Sequence, residues 1–456
     1  MTAQVLFTPP AADVCQALEN LPEVLETVRP LTKAQQRNLP DDIFRLSRLL
    51  TTERRELSLP YWSSPAFVSA YCYYFWPWNL VRLVSLLPNL PLPAVPELAE
   101  GSGAWLVDMG SGPLTLPVAL WLARPDLHAA NIRVFAQDSS RQPLTLGQRL
   151  FEALGRAMGQ NVWQSVVHQG PLEGATRTAV QRMGRKDSLW LLSAANVLNE
   201  YCQGRRPCGR GHGPHDADEE EAQSALEMRL SGFLEQLGMA LRRFPAAGLL
   251  CIEPGTRLGG KIVMQTRALL REQGLRPVLP CPHDGPCPLD GGRSWCHFTF
   301  AAQAAPKWLV ELSVRAGLGK DALSLAPLFV TGEGKTSSCR ERIQARIVST
   351  PFVVPGLRGR ARYACTGKGL VLLEGAAELL SGTLTDIAIP ADARRDGKSG
   401  ALIVPAQRTA RTVASNGQGA RKDAATANAR PARQTRPKAK STRQKQGRSR
   451  QGQRKP

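Results

Sequence analysis

The feature that most constrains this chain is a series of short apolar runs, each followed by a stretch of helical periodicity. Trp105 to Asp108, Ile132 to Asp138, Ser188 to Ala194 and Gly248 to Glu253 are such runs. Strands that alternate with helices must be joined by crossovers, so the pattern predicts a parallel sheet covered by helices, an α/β protein. The first run leads into Asp108-Met109-Gly110-Ser111-Gly112-Pro113, and a helical stretch, Leu116 to Arg124, follows. Glycines at a strand-to-helix turn let the backbone bend sharply and approach a ligand.

At 456 residues the chain exceeds the usual single domain. Residues 10 to about 100 read as helical, with apolar repeats over Cys15 to Leu31, Ile43 to Leu50 and Ala66 to Leu87 and proline-rich breaks near Pro88 to Pro96. The expected division is an N-terminal α-helical region over 1–100, a Rossmann-like domain over 101–300, a small β domain over 301–390 and a disordered basic tail over 391–456. The small β domain is read from Leu328-Phe329-Val330, Gln344 to Val348, Arg360 to Cys365 and Gly369 to Glu374.

Charge is unevenly spread. The net charge is +20, and the segment from Gln407 onward holds 15 basic residues and the single acid Asp423, or 14 of those charges. That segment has no aromatic residue and cannot bury enough apolar surface to offset the entropy of ordering. Such a run binds nucleic acid through counterion release, without sequence choice and with steep salt dependence; a merely solubilising role is the alternative.

Leu57 to Val81 carries no charge, but Pro60, Pro65 and Pro77 interrupt it, so a buried helical region fits better than a membrane span. Met1 to Glu19 contains no Lys or Arg, which argues against a secretory signal or a transit peptide and predicts a cytoplasmic protein without membrane association. Ten cysteines in a reducing compartment suggest metal binding or catalysis before disulfides.

Two acids give the glycine loop its ligand. Asp108 opens the motif, and Asp138, thirty residues later at the end of the next apolar run, is placed to accept hydrogen bonds from ribose hydroxyls. Leu114 stands where a dinucleotide motif has its third glycine, so S-adenosylmethionine is favoured over a nicotinamide cofactor. The candidate cofactor-binding residues are Asp108, Gly110, Gly112, Pro113, Asp138 and Asn196. Ordinary packing glycines in a tight turn are the bland alternative. After the fourth run the chain reads Ser193-Ala194-Ala195-Asn196-Val197-Leu198-Asn199-Glu200, without the Asp/Asn-Pro-Pro-aromatic motif of amino methyltransferases or the nucleophilic cysteine of cytosine C5 enzymes. Asn196 and Glu200 could orient a substrate or form a polar helix face. No catalytic residue is assigned.

Cys281, Cys287 and Cys296 gather three thiols within sixteen residues, among Pro282, His283, Pro288 and His297. Soft thiolates select zinc or iron-sulfur clusters, and four ligands are usual. The wide spacing leans towards a cluster. Cys339 or Cys365 can supply the fourth thiol, with His283 or His297 as the route to a zinc site. Cys202, Cys208, His212 and His215 form a second, weaker ligand set in the charged stretch Cys202 to Glu221.

The glycine loop, Ile252-Glu253-Pro254-Gly255-Thr256, and above all Pro280-Cys281-Pro282-His283 through Cys287-Pro288 to Trp295-Cys296-His297-Phe298 resemble the methyltransferase-like family of mitochondrial small-ribosomal-subunit assembly factors and their bacterial relatives. The likeness spans roughly residues 60 to 375. It implies a Rossmann-like S-adenosylmethionine-dependent methyltransferase fold, a [4Fe-4S] cluster, and association with the small ribosomal subunit and its rRNA, whether as an RNA methyltransferase or as a non-catalytic assembly factor. A zinc-stabilised RNA-binding protein is a further reading. Carried over by position, the cluster ligands are Cys281, Cys287, Cys296 and Cys365, the last on a stretch resembling Ala364-Cys365-Thr366 and Gly369.

Overall fold

A computed structural model describes residues 4–51, 61–97, 101–203, 216–292, 294–332 and 343–406. Side chains of 203 and 216–226 lie outside that description, as do Cys208, His212, His215, Cys339 and the basic segment from 407 onward.

The N-terminal region is helical: α1 Ala12–Glu19, α2 Leu21–Val28, α3 Lys33–Thr51, α4 Pro65–Ala70 and α5 Trp76–Leu86. A single π-turn, Tyr71–Phe75, joins the last two. Ser64 caps α4 by accepting from the Phe67 amide, and Pro65 occupies its first turn, where the missing N–H costs nothing.

The central layer follows the predicted alternation: β1 Ala104–Met109, α6 Thr115–Ala123, β2 Ile132–Asp138, α7 Arg141–Ala157, β3 Gln164–Gln169, α8 Ala175–Arg182, β4 Ser188–Ala195, α9 Leu198–Gln203, α10 Asp216–Arg243, β5 Gly248–Pro254 and α11 Arg257–Glu272. Then come β6 Arg276–Leu279, β7 Phe298–Ala301, α12 Lys307–Arg315 and β8 Ala322–Thr331. The sheet order is β3-β2-β1-β4-β5-β8-β6, with β7 also on β8. The first five strands are parallel. β8 runs antiparallel to β5, β6 and β7.

This is a Rossmann-like α/β sheet with one reversed strand. Successive residues of β1 serve opposite faces. Leu106 joins a core with Trp121 of α6 and Leu150 of α7, whereas Val107 joins one with Leu234 of α10 and Ile262 of α11. Both side chains are fully buried, each worth about 1.5–3 kcal/mol against exposure.

Leu328-Phe329-Val330, read above with the small β domain, belongs instead to β8 of the large sheet, opposite Leu249, Leu250 and Cys251. A short apolar run carries no sign of strand direction or partner, so the sequence grouped it with its neighbours. The small sheet that follows contains β9 Ile343–Ile347, β10 Phe352–Val353, β11 Arg360–Thr366, β12 Gly369–Glu374, β13 Leu384–Ile387 and β14 Leu402–Pro405. Its order is β13-β9-β11-β12-β14, with β10 on β11. β14 lies within the stretch expected to be disordered; it pairs with β12 and buries Val404. The charge run begins only after it.

Candidate functional site

The carboxyl ends of β1, β2 and β4 lie side by side, at the end of the sheet where open parallel sheets bind ligands. Gly110 and Gly112 follow β1 with φ of 66° and 53°, a region that disfavours side chains. Their surroundings differ. A Cβ on Gly110 would sit 2.2 Å from Val197 Cγ2, whereas one on Gly112 would meet nothing within 4 Å. Gly110 is therefore a packing glycine, and Gly112 borders open space. Leu114 and Asn196 also take left-handed φ values, 53° and 59°, unusual for non-glycine residues and typical of functional turns. Pro113 packs against α7, where its backbone would meet any Cβ on Gly147.

Register explains the polar contacts. Asp108 lies opposite Ser193 on β4, and Ser193 Oγ donates to Asp108 Oδ1 at 2.6 Å. Asp108 Oδ2 is buried without a hydrogen-bond partner. Burial lifts this carboxyl to about 6, opposed by its serine hydrogen bonds and reinforced by the nearby Asp138. Asp138 Oδ2 accepts from the Gly112 amide at 3.0 Å and Oδ1 from the Ser140 amide at 2.9 Å. It ties the loop to the end of β2 and, with lone pairs remaining, can still accept from a ligand. Gln137 Oε1 takes the Gly110 amide at 3.2 Å. The Asn196 amide donates to Ile252 O at 2.7 Å, closing β4 against β5. The structure thus brings Asp108, Gly110, Gly112, Pro113, Asp138 and Asn196 to one sheet edge.

Two tyrosines here had no signal in the sequence, and Glu253 was named only within the motif Ile252 to Thr256, with no role attached. Glu253, at the end of β5, is fully buried; its Oε1 accepts from the Leu198 amide at 2.8 Å, and Oε2 has no partner. Burial lifts it to about 8. Tyr61 and Tyr71 reach the same region, since burial and then the charges of Glu200 and Asp138 raise both phenols. Their rings stack at 5.7 Å, and Tyr71 stacks on Phe75 at 5.8 Å. A polar residue within an apolar run and a tyrosine within a helical repeat both read as packing until the topology is known.

A second constellation lies beside α11. Arg267 is buried, donating to Cys281 Sγ at 3.0 Å and to His283 O and Gly285 O at 3.1 and 2.8 Å. Arg346 of β9 donates to Pro280 O and Gly382 O, both at 2.9 Å. Neither guanidinium pairs with a carboxylate among the described residues. Cys365 on β11 points here too, 3.3 Å from His283 Nε2. Burial raises the Cys296 thiol well above its ordinary value, and Cys281, Cys287 and Cys365 reinforce the rise. The four cysteines assigned by resemblance are thus close enough to influence one another's charge. Four thiolates would bring −4 into this interior, and two guanidiniums and a divalent metal or dicationic cluster would cancel it. Donor identity and charge thus fit such a group, although as placed no three His, Cys, Asp or Glu side chains among the described residues form a group that could hold a metal ion. Of the second ligand set only Cys202 is described, buried in the core.

α11 joins the two constellations. Thr256 caps it by accepting from the Gly259 amide at 3.2 Å, Gly260 leaves room for Trp295, and Trp295 Nε1 donates to Gly255 O at 3.1 Å. This helix and the cysteine loop fall within the segment that the family comparison recognises. Residues 233–317 match the family described as mitochondrial small ribosomal subunit Rsm22. No curated protein matches the chain.

Among solved structures, the C-terminal domain of precorrin-6Y C5,15-methyltransferase from Rhodobacter capsulatus is 13% identical, over 51% of this chain and 83% of that one, with a TM-score of 0.21. A SAM-dependent methyltransferase from Thiobacillus denitrificans in complex with S-adenosyl-L-homocysteine is 13% identical, over 56% and 92%, at 0.25. A class I S-adenosylmethionine-dependent methyltransferase from Listeria monocytogenes is 10% identical, over 72% and 90%, at 0.26. No helix among the described residues is long and apolar enough to cross a membrane.

Proposed function

We propose that this chain is an S-adenosylmethionine-binding, iron-sulfur-carrying, methyltransferase-like protein that acts on small-subunit rRNA during ribosome assembly or translation. The observation that carries the reading is that Cys281, Cys287, Cys296 and Cys365 lie close enough to influence one another's charge beside two buried guanidiniums, Arg267 on the helix that leaves the candidate cofactor edge and Arg346 on β9. The first three thiols lie in the segment matching the Rsm22 family, which supports the small ribosomal subunit and its rRNA as partners.

Asp108, with its orphaned Oδ2, would hold the amino end of the cofactor's methionine. Asp138 would accept from the ribose, and Gly112, whose missing Cβ leaves open space, would let the backbone approach. Pro113 and Asn196 would hold the loop and the end of β4. When bound, the cofactor supplies a methyl group on a sulfonium. Half-buried Tyr61 and Tyr71 would line that end of the cofactor edge. The basic segment from 407 onward would add salt-dependent affinity for nucleic acid.

A non-catalytic assembly factor with the same ligands is the second reading, favoured by the absence of a substrate-amine motif after β4. One experiment separates the readings: labelled S-adenosylmethionine is incubated with immature small subunits and either the wild type or Asp108→Ala. Label in RNA from the wild type alone supports methyl transfer; cofactor binding without label supports the assembly factor. Protein purified anaerobically should be brown, with iron and sulfide; colourless protein holding one zinc would overturn the cluster and support a zinc-stabilised RNA-binding protein.

A further inference from the structure

Two cations lie towards the proposed cofactor edge and form no ion pair among the described residues. Arg82, on α5, donates from Nη1 to the neutral Asn79 Oδ1 at 2.7 Å. Lys320 precedes β8, whose nearby Leu325 pairs with Pro254 at the carboxyl end of β5, so it stands on the ligand-binding side of the sheet. Its Nζ lies 5.5 Å from the Tyr74 ring and 5.8 Å from the Trp78 ring. Those rings are fixed: Tyr74 OH donates to Leu318 O at 3.1 Å, and Trp78 Nε1 donates to Ser313 Oγ at 3.0 Å.

Burial lowers both cations, Arg82 to about 10 and Lys320 to about 8, and in Lys320 the repulsion of Arg82 adds to the effect. Holding two half-buried like charges within mutual reach, with only rings and an amide for company, is unfavourable until an anion lies between them. Tyr71, close enough to Arg82 for their charges to interact, continues through Tyr61 to Asp138 and Glu200. Tyr74 and Trp78 are buried and wall the cationic pair, whereas the partly buried rings of Tyr71 and Tyr61 beyond it, together with the cations, are the elements that bind a single nucleic-acid strand, by stacking bases and neutralising phosphates.

We propose that Arg82 and Lys320 form a subsite for one backbone phosphate of a single-stranded RNA segment, entering beside the cofactor edge. This rests on the RNA reading above and supplies a residue-level contact for it. The test uses full-length protein with lysines reductively labelled with 13C-methyl groups, saturated with S-adenosylhomocysteine; the Lys320 resonance is assigned by its loss in Lys320→Arg. The dinucleotide UpU should move that resonance and uridine should not. Arg82→Gln should weaken the UpU response roughly tenfold or more, and Arg82→Lys should restore most of it.

Movement by inorganic phosphate alone would mean a free-anion site and overturn the RNA assignment. No movement, equal movement with uridine, or an unchanged response in Arg82→Gln would overturn the subsite. Calorimetry with S-adenosylhomocysteine is the control. Wild-type protein that fails to bind it refutes the cofactor reading and leaves the UpU response interpretable. A variant that loses S-adenosylhomocysteine but keeps the UpU response would assign Arg82 to the cofactor's carboxylate instead.

Discussion

Arg267 Nε and Cys281 Sγ stand 3.0 Å apart, and the same guanidinium donates from Nη2 to two carbonyls of the loop that follows the thiol. One buried side chain of α11 thus shapes the cysteine loop and supplies positive charge to its first sulfur. Arg267→Met should leave those carbonyls unpaired and the thiol without its counter-charge. We expect at most half the wild-type iron and sulfide per chain after anaerobic purification, and Arg267→Lys should recover little because it cannot span three acceptors. Wild-type content in Arg267→Met would show that the loop is held without the guanidinium.

Asp108 and Gly112 should separate ligand binding from folding. Asp108→Asn keeps the size and an acceptor for Ser193 but removes the charge available to a cationic ligand. S-adenosylhomocysteine affinity should fall about ten- to a hundredfold by calorimetry. Gly112→Ala places a methyl in open space at φ 53°, with a stability loss of about 1 kcal/mol from the backbone and a larger loss of affinity. Gly110→Ala should instead lower the melting temperature sharply, because its methyl meets Val197. Equal effects of the two alanines on stability would contradict the distinction.

Glu253 gives a pH dependence with a definite sign. Its folded value of about 8 exceeds the ordinary 4.5, so between those values the folded chain keeps a proton that the unfolded chain has lost. Its contribution is greatest below about 4.5 and falls as pH rises to about 8, at up to about 1.4 kcal/mol per pH unit. Glu253→Gln, which keeps an acceptor for the Leu198 amide, should flatten this part of the stability curve and melt higher than wild type at pH 8. Parallel curves for the two proteins across pH 5–8 would argue against a protonated Glu253.

Removing residues 407–456 takes away 15 basic residues and one acid. The slope of log affinity against log salt for single-stranded RNA should shrink, each lost phosphate contact changing it by about 0.7. An unchanged slope would place the RNA contacts wholly in the folded body.

The parallel sheet was legible because its strands announce themselves twice, by apolar runs and by the helices between them. That Asp108, Asp138, Gly110 and Gly112 come together was legible because a strand-to-helix turn and the end of the next strand stand at fixed distances along the chain. That β8 runs backward beside β5 could not be read, because strand direction leaves no mark on composition. Arg82, Lys320, Arg267 and Glu253 were hidden for a related reason. A charged side chain is surface or interior according to what folds over it, and here the covering elements come from distant parts of the chain. Cys365 was reached by resemblance; spacing alone left Cys339 equally open.

Cys281, Cys287 and Cys296 stand between β6 and β7, on the edge of the large sheet, whereas Cys365 stands on β11 of the small one. The two sheets share no backbone ladder among the described strands. With the proposed cluster bound, the sulfurs would be a clasp between two separately hydrogen-bonded layers. Closed, the clasp would make both layers melt as one cooperative unit; opened, it would free the small sheet to come apart at a lower temperature, turning the number of calorimetric transitions into a gauge of the thiol site.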